Sequence, residues 1–166
     1  QEKLSGVING VDMDEWSPQN GRGLARFFSG KSLAGKKICK KALLKETGLD
    51  EGLAEKPLFG FVGRLTHQKG ADIILNSASH LLHKGGTLVL LGTGDAELGI
   101  GFERLARDNP NSVAVKLAYD ADLARRIIAG ADFFLMPSRF EPCGLTQMYA
   151  MLNATLPLAT ATGGLA

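Results

Sequence analysis

Two short strings in this sequence hold the side chains best suited to chemistry, and each follows a run of strand-forming residues. The first, residues 63–70, reads G-R-L-T-H-Q-K-G and spaces Arg64 and Lys69 five residues apart at the entrance to a helical pattern. A guanidinium grips two phosphate oxygens at once and a lysine supplies a mobile point charge, so the pair suits a diphosphate. Amides of the following helix's first turn add donors for the same anion. The second string, residues 137–148, reads P-S-R-F-E-P-C-G-L-T-Q-M. Its Glu141 stands between Phe140 and Pro142, where the backbone has little freedom. A carboxylate held beside a sugar accepts hydroxyl hydrogen bonds and stabilises the positive charge that develops at an anomeric carbon.

Each of these residues also has a plainer reading. Arg64 and Lys69 could form a solvated basic turn, and Glu141 could simply pair with Arg139. Cys143, at a helix entrance, has either a lowered pKa or the role of a small packed residue. Thr146 falls two or three residues into that helix, where its hydroxyl and amide could meet a phosphate or do nothing special. Tyr119 closes a strand pattern just before Asp120, a suitable helix cap, and its ring is either a platform for a base or a core edge. Gly92-Thr93-Gly94 and Thr162-Gly163-Gly164 are weak phosphate-loop hints. His67, His80 and His83 show no metal spacing and read as surface groups, so no metal ligand is assigned.

Something must bring these strings together. Phe133, Phe134, Leu135 and Met136 are an apolar run of the kind that fills a buried parallel strand, and Pro137 ends it. From residue 58 onward such runs alternate with helical patterns. Strands are expected at 58–62, 87–91, 113–117, 133–136 and 156–161, with helices at 72–83, 97–107, 121–128 and 144–153. Regular alternation argues for βαβ units and a doubly wound, Rossmann-like α/β fold with a parallel sheet. Right-handed crossovers leave few arrangements, and the usual order 3-2-1-4-5 sets the first strand beside the fourth. Residues 63–70 and 138–144 would then face each other across the switch point, where open α/β sheets bind ligands.

Upstream, residues 32–47 form an amphipathic helix with Ile38, Leu43 and Leu44 among lysines, and Gly48 is a suitable stop. Residues 49–57 read as a polar link. Residues 1–30 read as irregular and aromatic-anchored, with Val7, Ile8 and Val11 around a turn-favouring Asn9-Gly10. The domain division expected is therefore 1–57, an entry segment with its helix, and 58–166, the Rossmann-like domain, truncated at its carboxyl end.

The 166 residues suffice for one real core. A net charge of +2, with acids and bases interleaved, gives no reason to expect nucleic acid or an anionic membrane as partner. Cys39 and Cys143 lie far apart without metal-type spacing and read as two reduced thiols. No apolar run approaches the roughly 18 residues of a membrane span, and no signal-peptide pattern opens the chain, so a cytoplasmic location is the default. The start at Gln1 and the stop just after Thr162-Gly163-Gly164 read as those of a fragment.

G-R-L-T-H-Q-K-G, L-L-G-T-G, G-A-D-F-F-L-M-P-S-R-F-E-P-C-G-L-T-Q and T-G-G-L, in that order, closely resemble the carboxyl-terminal half of bacterial glycogen synthases and plant starch synthases. N-G-V-D-M-D-E-W-S-P is similar to the segment where that family enters its second domain. The resemblance implies a retaining transferase that moves glucose from ADP-glucose to the 4-hydroxyl of an α-1,4-glucan and releases ADP, without metal or cofactor. It implies Arg64 and Lys69 on the diphosphate and Glu141 beside the donor glucose, as nucleophile or electrostatic stabiliser. It further implies Cys143, Gly144 and Leu145 against the sugar, Thr146 on a phosphate and Tyr119 on adenine, with Gly63 and Gly92 among the nucleotide-sugar contacts. The family's amino-terminal domain, with the acceptor groove, is absent, so the fragment is expected to be inactive alone. A plant origin would imply a plastid. A UDP-glucose-dependent relative and a non-catalytic nucleotide- or glucan-binding module are the rival readings.

Overall fold

A computed structural model describes residue 7 and residues 9–166, so Ile8 of the expected Asn9-Gly10 turn lies outside the described residues. Five strands, β1 (Leu58–Val62), β2 (Thr87–Leu91), β3 (Val113–Lys116), β4 (Phe133–Met136) and β5 (Leu156–Ala159), form one sheet in the order β3-β2-β1-β4-β5. Every pairing is parallel. The helices are α1 (Met13–Trp16), α2 (Ala34–Glu46), α3 (Ala71–His83), α4 (Ala96–Asp108), α5 (Ala121–Gly130) and α6 (Leu145–Leu152).

Strand side chains alternate between two cores. Phe61, Leu88 and Leu90 pack with Ile74 of α3 and Phe102 of α4 on one face. Val89, Leu91, Phe134 and Met136 pack with Leu43 and Leu44 of α2, Ile127 of α5 and Ala150 of α6 on the other. The chain runs outward through β1, β2 and β3 and returns to β4, so right-handed crossovers must change faces at that return. With both faces covered, β2 is buried along its whole length.

α2 is more than an amphipathic cover, because two of its lysines are interior. Lys36 donates to the carbonyls of Ala129 and Asn153 at 3.0 Å and to Thr155 Oγ1 at 2.7 Å. It thereby ties α2 to the carboxyl ends of α5 and α6, where uncapped carbonyls favour a cation. Burial lowers its pKa to about 8. Lys40 bonds Asp132 and the Lys56 carbonyl, each at 2.6 Å, and Asp132 also accepts from the Leu58 amide at 2.8 Å. That triad joins the starts of β1 and β4.

Several boundaries differ from expectation. β3 stops at Lys116 and β5 at Ala159. The polar link contains a 3-10 helix, Glu51–Glu55, capped by the Asp50 side chain. α1 interrupts the irregular entry segment, because the Asp12 carboxylate accepts from the amides of Asp14 and Glu15. Ile73 is exposed, since the buried stripe of α3 runs through Ala71, Ile74 and Ala78.

Candidate active site

β1 and β4 are neighbours, so the loops that leave their carboxyl ends meet. The contact is backbone on backbone. Gly70 begins α3 with φ of 69°, and a Cβ there would overlap the Pro137 carbonyl. The Arg139 amide donates to the Gln68 carbonyl at 2.9 Å, and Gln68 Nε2 donates to the Phe140 carbonyl at 3.3 Å. Lys69 Nζ is paired with Glu141 Oε2 at the centre of this seam. Glu141 is buried, at 8% exposure, whereas Arg64 is exposed, with Nη2 3.4 Å from Gln68 Oε1.

Arg139 does not take Glu141, which corrects the plainer reading of that carboxylate. Its guanidinium forks onto both oxygens of Asp72, at 2.7 and 2.8 Å, and donates to the His67 carbonyl at 2.7 Å. The hydrogen bonds from Arg139 hold the Asp72 carboxyl below its ordinary pKa. Asp72, in the first turn of α3, thus staples one loop to the other, and Glu141 is left for Lys69.

The loop at residues 138–144 is also backed from behind. The Gly164 amide donates to the Glu141 carbonyl at 2.8 Å, and Gln147 Nε2 donates to the carbonyls of Gly164 at 2.8 Å and Cys143 at 3.3 Å. The Thr160 hydroxyl donates to the Ser138 carbonyl. A Cβ on Gly163 or Gly164 would overlap the carbonyl of Glu141 or Cys143. These glycines therefore lie against the loop as a buttress, and both belong to one turn of 3-10 helix, Gly163–Leu165.

Gly144 caps α6 with φ of 77°. Leu145 and Thr146 follow as the first two helical residues, both partly buried, with amides that face no intrahelical carbonyl. Cys143 Sγ accepts from Asn9 Nδ2 at 3.0 Å, so the entry segment reaches the same loop. Gly92 lies so close to Gly63 that a Cβ would overlap the Gly63 carbonyl, and the Leu65 amide donates to the Thr93 carbonyl at 2.9 Å. Beside this junction opens a cavity of about 310 Å³ whose wall includes Gly63, Arg64, Gly92, Tyr119, Glu15 and Arg125. Larger hollows along α3 and β5 and beside α2 include none of Arg64, Lys69 or Glu141.

Tyr119 is 92% exposed, three residues beyond the end of β3, which overturns its reading as a core edge. Asp120 caps α5, and its carboxyl is drawn down to about 2, first by the Leu123 amide and then by Lys116. His80 and His83 are exposed on α3. Among the described residues no cluster of three or more His, Cys, Asp or Glu could hold a metal ion. Sequence reasoning passed over Asp72, Gln68, Asn9, Glu15 and Arg125. Only Asp72, an acid in a first helical turn, carried a local signal.

A doubly wound parallel sheet with a cationic loop and a buried carboxylate at its switch point defines a nucleotide-binding type of α/β domain. The model of the family Glycosyl transferases group 1 matches residues 49–166, and the chain belongs to that family. It is 48% identical over 162 residues to a glycogen synthase of Anaeromyxobacter sp. (strain Fw109-5), covering 98% of this chain and 34% of that protein. Over 164 residues it is 49% identical to a glycogen synthase of Dechloromonas aromatica (strain RCB), covering 99% and 34%. Among solved structures, the catalytic domain of Starch Synthase IV from Arabidopsis thaliana, bound to ADP and acarbose, superposes with a TM-score of 0.90 at 40% identity, covering 96% of this chain and 33% of that one. A protein of Anabaena in complex with UDP and glucose shares the fold, with a TM-score of 0.68 at 23% identity over 99% of this chain and 40% of that one. The chain spans about a third of the length of the curated relatives it matches.

Proposed function

We propose that this chain is the donor-binding domain of a retaining glucosyltransferase that transfers glucose from ADP-glucose to the non-reducing end of an α-1,4-glucan. The observation that carries the reading is the pairing of Lys69 with a buried Glu141 where the two loops meet. Such a pair sets a mobile cation and a carboxylate within one sugar-diphosphate's reach of each other. The likeness to glycogen synthases and to a starch synthase bound to ADP and acarbose supports it.

In this reading Arg64 and Lys69 neutralise the diphosphate and the charge that grows on it as the anomeric bond breaks. Glu141 faces the positive charge left on the sugar. Gly63 and Gly92 permit close approach of the nucleotide, and Tyr119 stacks on adenine. Cys143, Gly144 and Leu145 line the sugar, and Thr146 meets a phosphate at the start of α6. The arginine and lysine take the place of a metal ion, and no cofactor is required. The glucan acceptor is held by a domain outside this chain, residues 58–166 form the nucleotide-sugar unit, and residues 1–57 lead into it. The protein works in the cytoplasm, or in a plastid if the source is a plant. Among the described residues no helix is long and apolar enough to cross a membrane.

Calorimetric titration with ADP, ADP-glucose, UDP and a maltooligosaccharide tests the reading. ADP and ADP-glucose should bind weakly, ahead of UDP and of the oligosaccharide, and the chain alone should not elongate glucan. Arg64→Glu should abolish ADP binding and leave thermal unfolding unchanged, because Arg64 is exposed and packs in neither core. Preference for the oligosaccharide, or ADP affinity that survives Arg64→Glu, refutes it.

A further inference from the structure

A nucleoside diphosphate presents three surfaces: a charged diphosphate, a flat base and a sugar with two adjacent hydroxyls. The cavity beside the loop junction supplies Arg64 for the first and the exposed ring of Tyr119 for the second. Two acids, Glu15 and Asp120, line the same wall. Asp120 is fully engaged, since Oδ1 accepts from the Leu123 amide at 2.9 Å and Oδ2 from Lys116 Nζ at 2.8 Å. Glu15 is only half engaged. Its Oε1 accepts from Arg125 Nη1 at 2.9 Å, while Oε2 has no donor among the described residues.

Glu15 is also held in place before any ligand arrives. It belongs to α1, whose next residue, Trp16, stacks on Tyr149 of α6 with ring centroids 3.8 Å apart and planes 3° from parallel. Arg125 is anchored in turn by Asp122 at 2.7 Å, and its guanidinium lies 6.0 Å from the centre of the Trp16 ring. The carboxylate thus sits in the cavity wall, braced by Arg125, with one oxygen free of protein donors among the described residues. A carboxylate is the group that accepts ribose hydroxyl hydrogen bonds in dinucleotide-binding α/β folds, and its charge roughly doubles the strength of such a bond.

We infer that Glu15, oriented by Arg125, accepts the ribose hydroxyls of the nucleotide and selects ribonucleotides over deoxynucleotides. The inference rests on the nucleotide reading given above and adds to it the sugar-recognition residue, which comes from the entry segment and not from the sheet.

Dissociation constants for ADP, 2′,3′-dideoxy-ADP and inorganic pyrophosphate, measured by calorimetry on the 166-residue chain and on Glu15→Ala, test it. The chain should bind ADP about tenfold more tightly than dideoxy-ADP, the scale of one charge-assisted hydrogen bond. Glu15→Ala should lose about that factor for ADP and leave dideoxy-ADP and pyrophosphate unchanged. Glu15→Gln, which keeps an acceptor for Arg125, guards against a misfolded variant and should also erase the preference. Equal losses for ADP and dideoxy-ADP, or no loss for either, overturn the role of Glu15 while the nucleotide site stands. A wild-type chain that binds none of the three ligands overturns both.

Discussion

Replacing Gly70 by alanine should cost far more stability than replacing Gly48, although both glycines have a left-handed backbone. Gly48 has φ of 77° with nothing within 4 Å of a would-be Cβ, so Gly48→Ala reports the conformational penalty alone, about 1 kcal/mol. Gly70 has φ of 69°, but its Cβ would overlap the Pro137 carbonyl and crowd the Pro137 ring. Relief requires β4's exit or the start of α3 to move, and overpacking of that kind adds about 2 kcal/mol. Gly70→Ala is therefore expected to lose about 3 kcal/mol in urea unfolding followed by circular dichroism. Because the displaced segment carries Arg139 and Glu141, the same variant should lose affinity for ADP, while Gly48→Ala should keep it. If the two variants lose equal stability, the backbone contact between the loops is not what sets their spacing, and the account of the site's assembly fails.

Ala154 is the one described residue other than glycine with positive φ, at 51°. Ala154→Gly should remove about 1 kcal/mol of left-handed strain and, after the added freedom of the unfolded chain, gain a net of roughly 0.5 kcal/mol, read as a higher urea midpoint. Lys36 gives a pH signature. Its folded pKa, about 8, lies below the ordinary 10.5, so above pH 8 the unfolded chain binds the extra proton and stability rises with pH. At about 1.4 kcal/mol per pH unit, the gain by pH 10.5 approaches 3 kcal/mol. Burial raises the pKa of Cys39 and of Tyr149, which act in the opposite sense, so the quantity to measure is the difference between wild type and Lys36→Met. That difference should grow from pH 8 to 10, and a flat difference would contradict the burial of a strained cation.

Residues close in sequence decided much of this protein without reference to the rest. The apolar runs of β1, β2 and β4 and the glycine and proline punctuation around them sufficed to place these strands to the residue, because a strand buried on both faces has a composition few other elements share. The parallel order of the sheet followed from the rule of right-handed crossovers. With that order, the meeting of residues 63–70 and 138–144 was already implied, and the motif strings resembled glycogen and starch synthases, which are among the relatives this chain matches.

Pairings between distant side chains belong to tertiary structure alone. Arg139 and Glu141 are two residues apart, and nothing local says that one reaches Asp72 and the other Lys69; loop contact across the β1–β4 seam makes that choice. Lysines of α2 read as solvent-facing until the carboxyl ends of α5 and α6 arrive with their unpaired carbonyls and draw Lys36 inside. Glu15 meets Arg125, 110 positions away, beside the stack of Trp16 on Tyr149. Periodicity and turn chemistry are encoded over a few residues, whereas a charge's partner is settled by which surfaces the folded chain brings within 3 Å of it.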